Sequence, residues 1–315
     1  MKQPLIILTG PTAVGKTGLS IELAKRINGA IVSADSMQVY RGMDIGSAKI
    51  KEEEKQGIKH YLIDILDPEE DFNVVQFQAR AKAALEEIYA DRKCPIVVGG
   101  TGFYIQALLY NIDFTKSEKE DGYREALEQT AKEKGADFLH EELKKVDPKA
   151  AEEIHPNNVK RVIRALEFYH ESGKKISEHN EQEKEKESFF NSAYFVLNDD
   201  REKMYQRIDQ RVDQMLQDGL IQEVKALKER GFHSSMVSMQ GLGYKELFEY
   251  LEGSCTLDEA VYKLKRDTRH FAKRQITWFR REKDVIWLDK SAYESNDTKL
   301  LEELMLQLKK RGIIE

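Results

Sequence analysis

Short apolar runs alternate with amphipathic stretches through the first hundred residues. "PLIILT" (4–9), "AIVSAD" (30–35), "KHYLID" (59–64) and "PIVVGGTG" (95–102) each read as a strand. Between them, Leu19, Leu23 and Ile27 share one face of a helix from about Lys16 to Ile27, and Val75, Ala79, Ala83 and Ile88 are the expected inward face of a second. Strands that alternate with helices predict an α/β fold with a mostly parallel sheet flanked by helices. The functional loops of such a sheet lie at the carboxyl ends of its strands.

The pattern changes near residue 115. From there to about 190 it is helical, densely charged and without a strand, and it ends in the solvated run "HNEQEKEKE" (179–187). "AYFVLND" (193–199) restores a strand, and Asp199 or Asp200 can cap a helix that runs to Leu216. A long helix follows from roughly Leu257 to Arg281, then a last strand, "DVIWLD" (284–289), and a terminal helix, "LLEELMLQLKKR". The predicted organisation is a catalytic core from 1–114 and 191–290, a helical insert over 115–190, and a C-terminal helix over 291–315.

Charge narrows the function classes. The 315 residues carry a net charge of −6, with 34% charged residues. That excludes a globally basic nucleic-acid binder and leaves room for a local basic face. No apolar run approaches membrane-spanning length, so no membrane partner is expected. The opening "MKQPLIILTGPT" reads as a first strand rather than a signal peptide. Cys94 and Cys255 stand far apart, with neither metal-ligand nor disulfide spacing, and a reducing cytoplasm is the expected location.

The strongest single motif is "GPTAVGKT": Gly10, Pro11, Thr12, Ala13, Val14, Gly15, Lys16 and Thr17. An apolar strand precedes it and an amphipathic helix follows, as a phosphate loop requires. Its backbone amides and the helix start favour an anion, Lys16 adds charge, and Thr17 offers a hydroxyl to Mg²⁺. Such a loop suggests a nucleotide kinase or hydrolase, and ATP is a natural occupant. Those enzymes usually place an aspartate at the end of a later strand, whereas "PIVVGGTG" ends in glycines and Thr101. Instead Asp35 closes the second strand, beside the loop. It can be a magnesium ligand, a general base or a turn cap.

Six ordered blocks, "GPTAVGKT", "DSMQVYRGMDIGSAK", "HYLIDILDP", "VVGGTGFYIQAL", "QGLGYKE" and "RHFAKRQITWFR", together resemble the bacterial tRNA dimethylallyltransferases, also called tRNA isopentenyltransferases. The matches span residues 10 to 280. Ile50 stands where family members often have proline and Lys59-His60 where they often have two histidines, and the zinc-finger extension of some eukaryotic relatives is not expected.

The resemblance implies transfer of a dimethylallyl group from dimethylallyl diphosphate to N6 of adenosine 37, beside the anticodon. The loop would then hold a leaving group, with Mg²⁺ as cofactor. The implied partners are the tRNA anticodon stem-loop and dimethylallyl diphosphate, and the enzyme is expected to act as a monomer. Asp35 is the expected base, with Asp44 and Asp64 as weaker candidates. Lys16 is expected to stabilise the departing diphosphate and Thr101 to hydrogen-bond near substrate.

Arg207 and Arg211, one helical turn apart, suit an anion or pair with Asp209 or Asp213, and the resemblance favours contact with the diphosphate. Met204, Ile208, Val212 and Met215 lie on the opposite face. The expected RNA contacts are Asp35, Ser36, Met37, Gln38 and Thr101, with Arg124 and the "KRVIR" cluster Lys160, Arg161, Val162, Ile163 and Arg164. Gly241, Gly243, Tyr244 and Lys245 complete the set, and Tyr244 can stack or simply pack. "KLKRDTRHFAKRQITWFRREK" (263–283) is a second basic stretch, in which Phe271, Trp278 and Phe279 are expected to pack the helix onto the core. The competing readings are a phosphate-loop nucleotide or nucleoside kinase, and a nucleotide-gated RNA-binding module without catalysis.

Overall fold

The computed structural model describes residues 2–114 and 122–315. The expected insert boundary at 115 falls in the segment outside the described residues. Two compact units emerge, residues 1–111 with 188–315, and residues 112–187.

In the larger unit β1 (Pro4–Thr9), α1 (Lys16–Arg26), β2 (Gly29–Ser33), α2 (Glu52–Lys55), β3 (His60–Tyr61), α3 (Val74–Ala90), β4 (Cys94–Gly99) and α4 (Gly102–Leu109) follow one another. The smaller unit holds α5 (Tyr123–Lys134), α6 (Ala136–Val146), α7 (Pro148–Glu153), α8 (Val159–Ser172) and α9 (Ile176–Glu185). The chain then returns through β5 (Asn191–Asn198), α10 (Arg201–Gln217), α11 (Leu220–Glu229), α12 (Tyr244–Leu251), α13 (Leu257–Phe279), β6 (Val285–Asp289) and α14 (Asp297–Lys310). The third expected strand shrinks to two residues. Helices α11 and α12, which the periodicity leaves unassigned, fill the stretch before α13.

The six strands run in the order β3-β2-β4-β1-β5-β6, and every pairing is parallel. Helices cover both faces, so Leu5, Ile6, Ile7 and Leu8 of β1 are all buried, alternately in the two apolar layers. Burying each such side chain contributes about 1.5–3 kcal/mol. At the carboxyl end, the Thr9 hydroxyl donates to the Gly99 carbonyl at 2.6 Å and ties β1 to β4.

This order corrects one expectation. Asp35 leaves β2, and β4 lies between β2 and the loop-bearing β1. Two strand spacings of roughly 4.8 Å each therefore separate the Asp35 strand from the phosphate-loop strand.

The smaller unit has its own core, built on Leu139, Leu143, Val162, Ile163 and Leu166. Val162 and Ile163 are thus core side chains and not RNA contacts, because the α8 stripe that carries them faces inward. Buried Asp147 caps α7 and also accepts from the amide and hydroxyl of Ser177, which anchors the start of α9.

Candidate active site

The carboxyl ends of β1, β4 and β2 open side by side into one cavity of about 860 Å³. Its phosphate wall is the loop after β1. Gly10 has φ +146°, and a Cβ there would lie 2.5 Å from the Leu197 carbonyl oxygen, so only glycine fits. Thr12, Ala13, Gly15, Lys16 and Thr17 line the cavity, while Val14 turns its side chain into the core. No side chain caps the start of α1 and no acid stands in its first turn. The positive end of the helix is therefore left for an anion.

Lys16 lies within this loop, its Nζ donating to the carbonyls of Gly10 at 3.0 Å and Pro11 at 2.9 Å. Burial and the nearby Arg211 charge lower its pKa to about 8, against the opposing pull of Asp35. Arg211, from α10, also lines the cavity, and burial depresses its pKa too. Two partly buried cations with no ion-pair partner among the described residues are arranged for an anionic ligand.

Arg207, one turn earlier, does not join them. It pairs with the buried carboxylate of Asp199, because the strand end delivers that acid directly beneath it. Asp209 and Asp213 instead pair with Arg269 and Lys265 of α13. Asp200 is the residue that caps α10.

Across the cavity, Asp35 Oδ1 accepts the amides of Met37 at 2.8 Å and Gln38 at 3.3 Å. The turn-cap reading is therefore correct as far as it goes. Oδ2 has no hydrogen-bond partner among the described residues, so the same carboxylate is both fixed and available. Ser36, Met37 and Gln38 line the same wall. Thr101 precedes α4 without capping it, which leaves its hydroxyl to the cavity. Asp44 and Asp64, the weaker base candidates, both pair with Lys49 and do not line the cavity.

Gly241, Gly243 and Lys245 border the site as well. Tyr244 does not. Fully buried, it donates its hydroxyl to Glu223 at 2.7 Å, because α12 turns this residue inward with Leu247 and Phe248. Arg124, in the smaller unit, is drawn to Glu167 at 3.0 Å and Glu128 at 3.2 Å rather than left free. Lys160 and Arg161 are exposed on the same unit and Arg164 is partly buried.

Three features escape the sequence reading. Buried Gln275 of α13 accepts the Thr12 amide at 2.9 Å and donates to the Gly100 carbonyl at 2.9 Å, joining the phosphate loop to the β4 exit. Its signal was a polar side chain on the buried stripe of Ala272 and Phe279. Phe271 lines the cavity instead of packing the helix, and Arg274 stands over its ring. Ile208, Val212, Met215 and Leu264 give the cavity an apolar patch beside Arg211. Among the described residues, no three His, Cys, Asp or Glu side chains form a metal-binding group. The exposed Thr17 hydroxyl is the ligand that this loop would offer a Mg²⁺ ion.

The family model described as IPP transferase matches residues 38–282. The tRNA dimethylallyltransferase of Lachnoclostridium phytofermentans is 60% identical over 313 residues, covering 99% of this chain and 100% of that protein. The one from Clostridioides difficile is 52% identical over 312 residues, covering 98% of each. A crystal structure of full-length tRNA isopentenylpyrophosphate transferase from Bacillus halodurans superposes with a TM-score of 0.74 at 43% identity, covering 99% of this chain and 98% of that one. A eukaryotic dimethylallyltransferase seen acting on tRNA gives 0.78 at 33% identity, over 91% of this chain and 74% of that one. The chain belongs to the IPP transferase family, the tRNA dimethylallyltransferases.

Proposed function

We propose that the protein transfers the dimethylallyl group of dimethylallyl diphosphate to N6 of adenosine 37 in tRNA and releases diphosphate. The carrying observation is one cavity with a cationic wall of Lys16 and Arg211 and, two strands away, a fixed carboxylate with a free oxygen. That gap suits a five-carbon group between a leaving diphosphate and an incoming amine. The apolar patch of Ile208, Val212 and Leu264 beside Arg211 would take the carbon chain.

As the allylic C–O bond breaks, its electron pair goes to the diphosphate. The loop amides, Lys16 and Arg211 stabilise this developing charge most strongly at the transition state. A Mg²⁺ beside Thr17 would add charge neutralisation. The adenine amine is a weak nucleophile and grows acidic as its N–C bond forms. Asp35 orients it and accepts its proton through Oδ2. Thr101 lies where it can hydrogen-bond the base, which must leave the RNA stack to enter.

RNA phosphate contact is assigned to unpaired cations. In α13, Lys263, Lys265, Arg266 and Arg269 pair with Glu249, Asp213, Asp267 and Asp209. Lys273, Arg274, Arg280 and Arg281, in the later part of the helix and at its end, are exposed and have no acidic partner among the described residues. Lys245, Lys160 and Arg161 are the other candidates. Free Cys94 and Cys255 suit a reducing cytoplasm.

The test is incubation with dimethylallyl diphosphate, Mg²⁺ and unmodified tRNA, followed by nucleoside mass analysis. Adenosine carrying one dimethylallyl unit, formed without ATP, is expected. Strict ATP dependence would favour the kinase reading.

A further inference from the structure

The adenosine-facing wall includes a stretch with no regular structure, residues 44–48, in which Gly46, Ser47 and Ala48 line the cavity. Coil backbone has no ladder to satisfy its amides, so something else must. Here the Ala48 amide donates to the Ile45 carbonyl, and a single side chain takes the three amides before Ser47. Glu223, on α11 and outside the cavity lining, accepts the amides of Asp44 at 2.9 Å and Ile45 at 2.8 Å on Oε2. Its Oε1 accepts the amide of Gly46 at 3.1 Å and the hydroxyl of Tyr244 at 2.7 Å. Three consecutive amides and a phenol thus converge on one carboxylate. Burial and the Glu223 charge push the Tyr244 pKa well up, which keeps the phenol a donor.

The fit is close. A Cβ on Gly46 would lie 2.6 Å from the Tyr244 ring. The loop passes the constraint inward. Gln38 Nε2 donates to the carbonyls of Ser47 and Ala48, each at 3.4 Å, and the Gln38 amide donates to Asp35. The Ser33 hydroxyl donates to Gln38 Oε1 at 3.3 Å.

We infer that Glu223 is a positioning residue for nucleoside recognition: by holding loop 44–48 it fixes the amide of Gln38 and the Asp35 turn against the incoming adenine. This rests on the proposed assignment of that wall to adenosine. The diphosphate wall has a separate tether, Gln275, so the two substrates should respond separately.

Glu223→Gln keeps one acceptor oxygen and loses the other. The expected result is a fall of roughly 10- to 100-fold in kcat/KM for tRNA, the scale of leaving several partly buried amides unpaired. The dissociation constant for a non-hydrolysable dimethylallyl thiolodiphosphate should stay within about twofold. Combining Glu223→Gln with Gln38→Ala should give a variant no worse than the poorer single, because both act through one element. Multiplicative losses, or equal loss of diphosphate affinity, would overturn the positioning role. If Glu223→Gln does not fold, Tyr244→Phe reads the same split while keeping the ring that fills the space by Gly46. A smaller tRNA-specific loss is expected there, and wild-type kinetics would overturn the inference. Gln38→Ala alone guards the premise. Undiminished tRNA kinetics in it would overturn the adenosine assignment of the wall, and the inference with it, whereas an impaired Gln38→Ala beside an unimpaired Glu223→Gln would overturn only the inference.

Discussion

The two walls of the cavity are built differently. The phosphate wall is built on one contiguous loop, residues 10–17, whose left-handed glycines and uncapped helix start shape an anion site locally, with Arg211 added from α10 and Gln275 from α13. The nucleoside wall is gathered from the β2 exit, loop 44–48, the β4 exit and the turn before α12, and is held by one carboxylate from α11. A contiguous motif carries its own geometry. A gathered wall exists only once distant segments have docked, so substitutions far from the substrate can disturb it.

The largest effect should come from the nucleoside wall. Asp35→Asn keeps the turn-capping oxygen and loses proton acceptance. Its single-turnover rate should fall roughly 10²- to 10⁴-fold. Its tRNA affinity should hardly change, since many phosphate contacts carry binding. If binding collapses while the saturated rate survives, Asp35 positions the base and does not deprotonate it.

On the other wall, Lys16→Ala should slow the chemical step by about 10²- to 10³-fold, the typical cost of one donor aimed at developing charge. Full turnover in this variant would remove the loop from the mechanism. The same residue sets a pH dependence. Burial and Arg211 lower its pKa to about 8, so the free enzyme loses this charge as pH rises through that value. Above it a proton must be taken up on binding, and affinity for dimethylallyl diphosphate should fall by up to about tenfold per pH unit. Calorimetric titration across pH 6.5 to 9.5 would show a flat lower limb and a declining upper one, and Lys16→Ala should flatten both.

Gln275→Ala leaves the Thr12 amide and the Gly100 carbonyl without partners, a loss of about 1–3 kcal/mol. It should weaken diphosphate binding roughly tenfold, leaving the tRNA dissociation constant unchanged. Equal damage to both affinities would show that the walls are not separately tethered.

The smallest effects should be electrostatic. Lys273→Ala with Arg280→Ala should lower the salt slope of tRNA binding by about one for each phosphate that is no longer neutralised. Lys265→Ala with Arg269→Ala should lower the melting temperature and leave the slope alone. Interchanged results would refute the division of α13 into paired and free cations. Lys160→Ala with Arg161→Ala tests the smaller unit in the same way, with normal chemistry once RNA saturates.

Local patterns determined a good deal. Short apolar runs placed five of the six strands to within a few residues, and period-3.6 stripes placed α1, α10, α13 and α14. Helix α3 is also where the pattern put it, but its buried stripe is Phe77, Ala81, Ala84, Leu85 and Ile88, whereas Val75, Ala79 and Ala83 are exposed. The phosphate loop was legible because its function rests on backbone conformation within one turn. Strand order was not, since nothing in the β2 or β4 sequence says which of them lies beside β1, and so Asp35 appeared nearer the loop than it is. Nor was the state of the charges. Arg207 and Arg211 look equivalent in sequence, yet Asp199 claims the first and the cavity receives the second. Tyr244, Glu223 and Gln275 have roles fixed by partners 21 or more residues away. Hydrophobic period is a property of neighbours along the chain, whereas hydrogen-bond and ion-pair partnership is decided by which segments the core brings together. The sequence alone therefore determined the elements and the anion loop, and the tertiary structure decided which polar side chains were left free to meet a substrate.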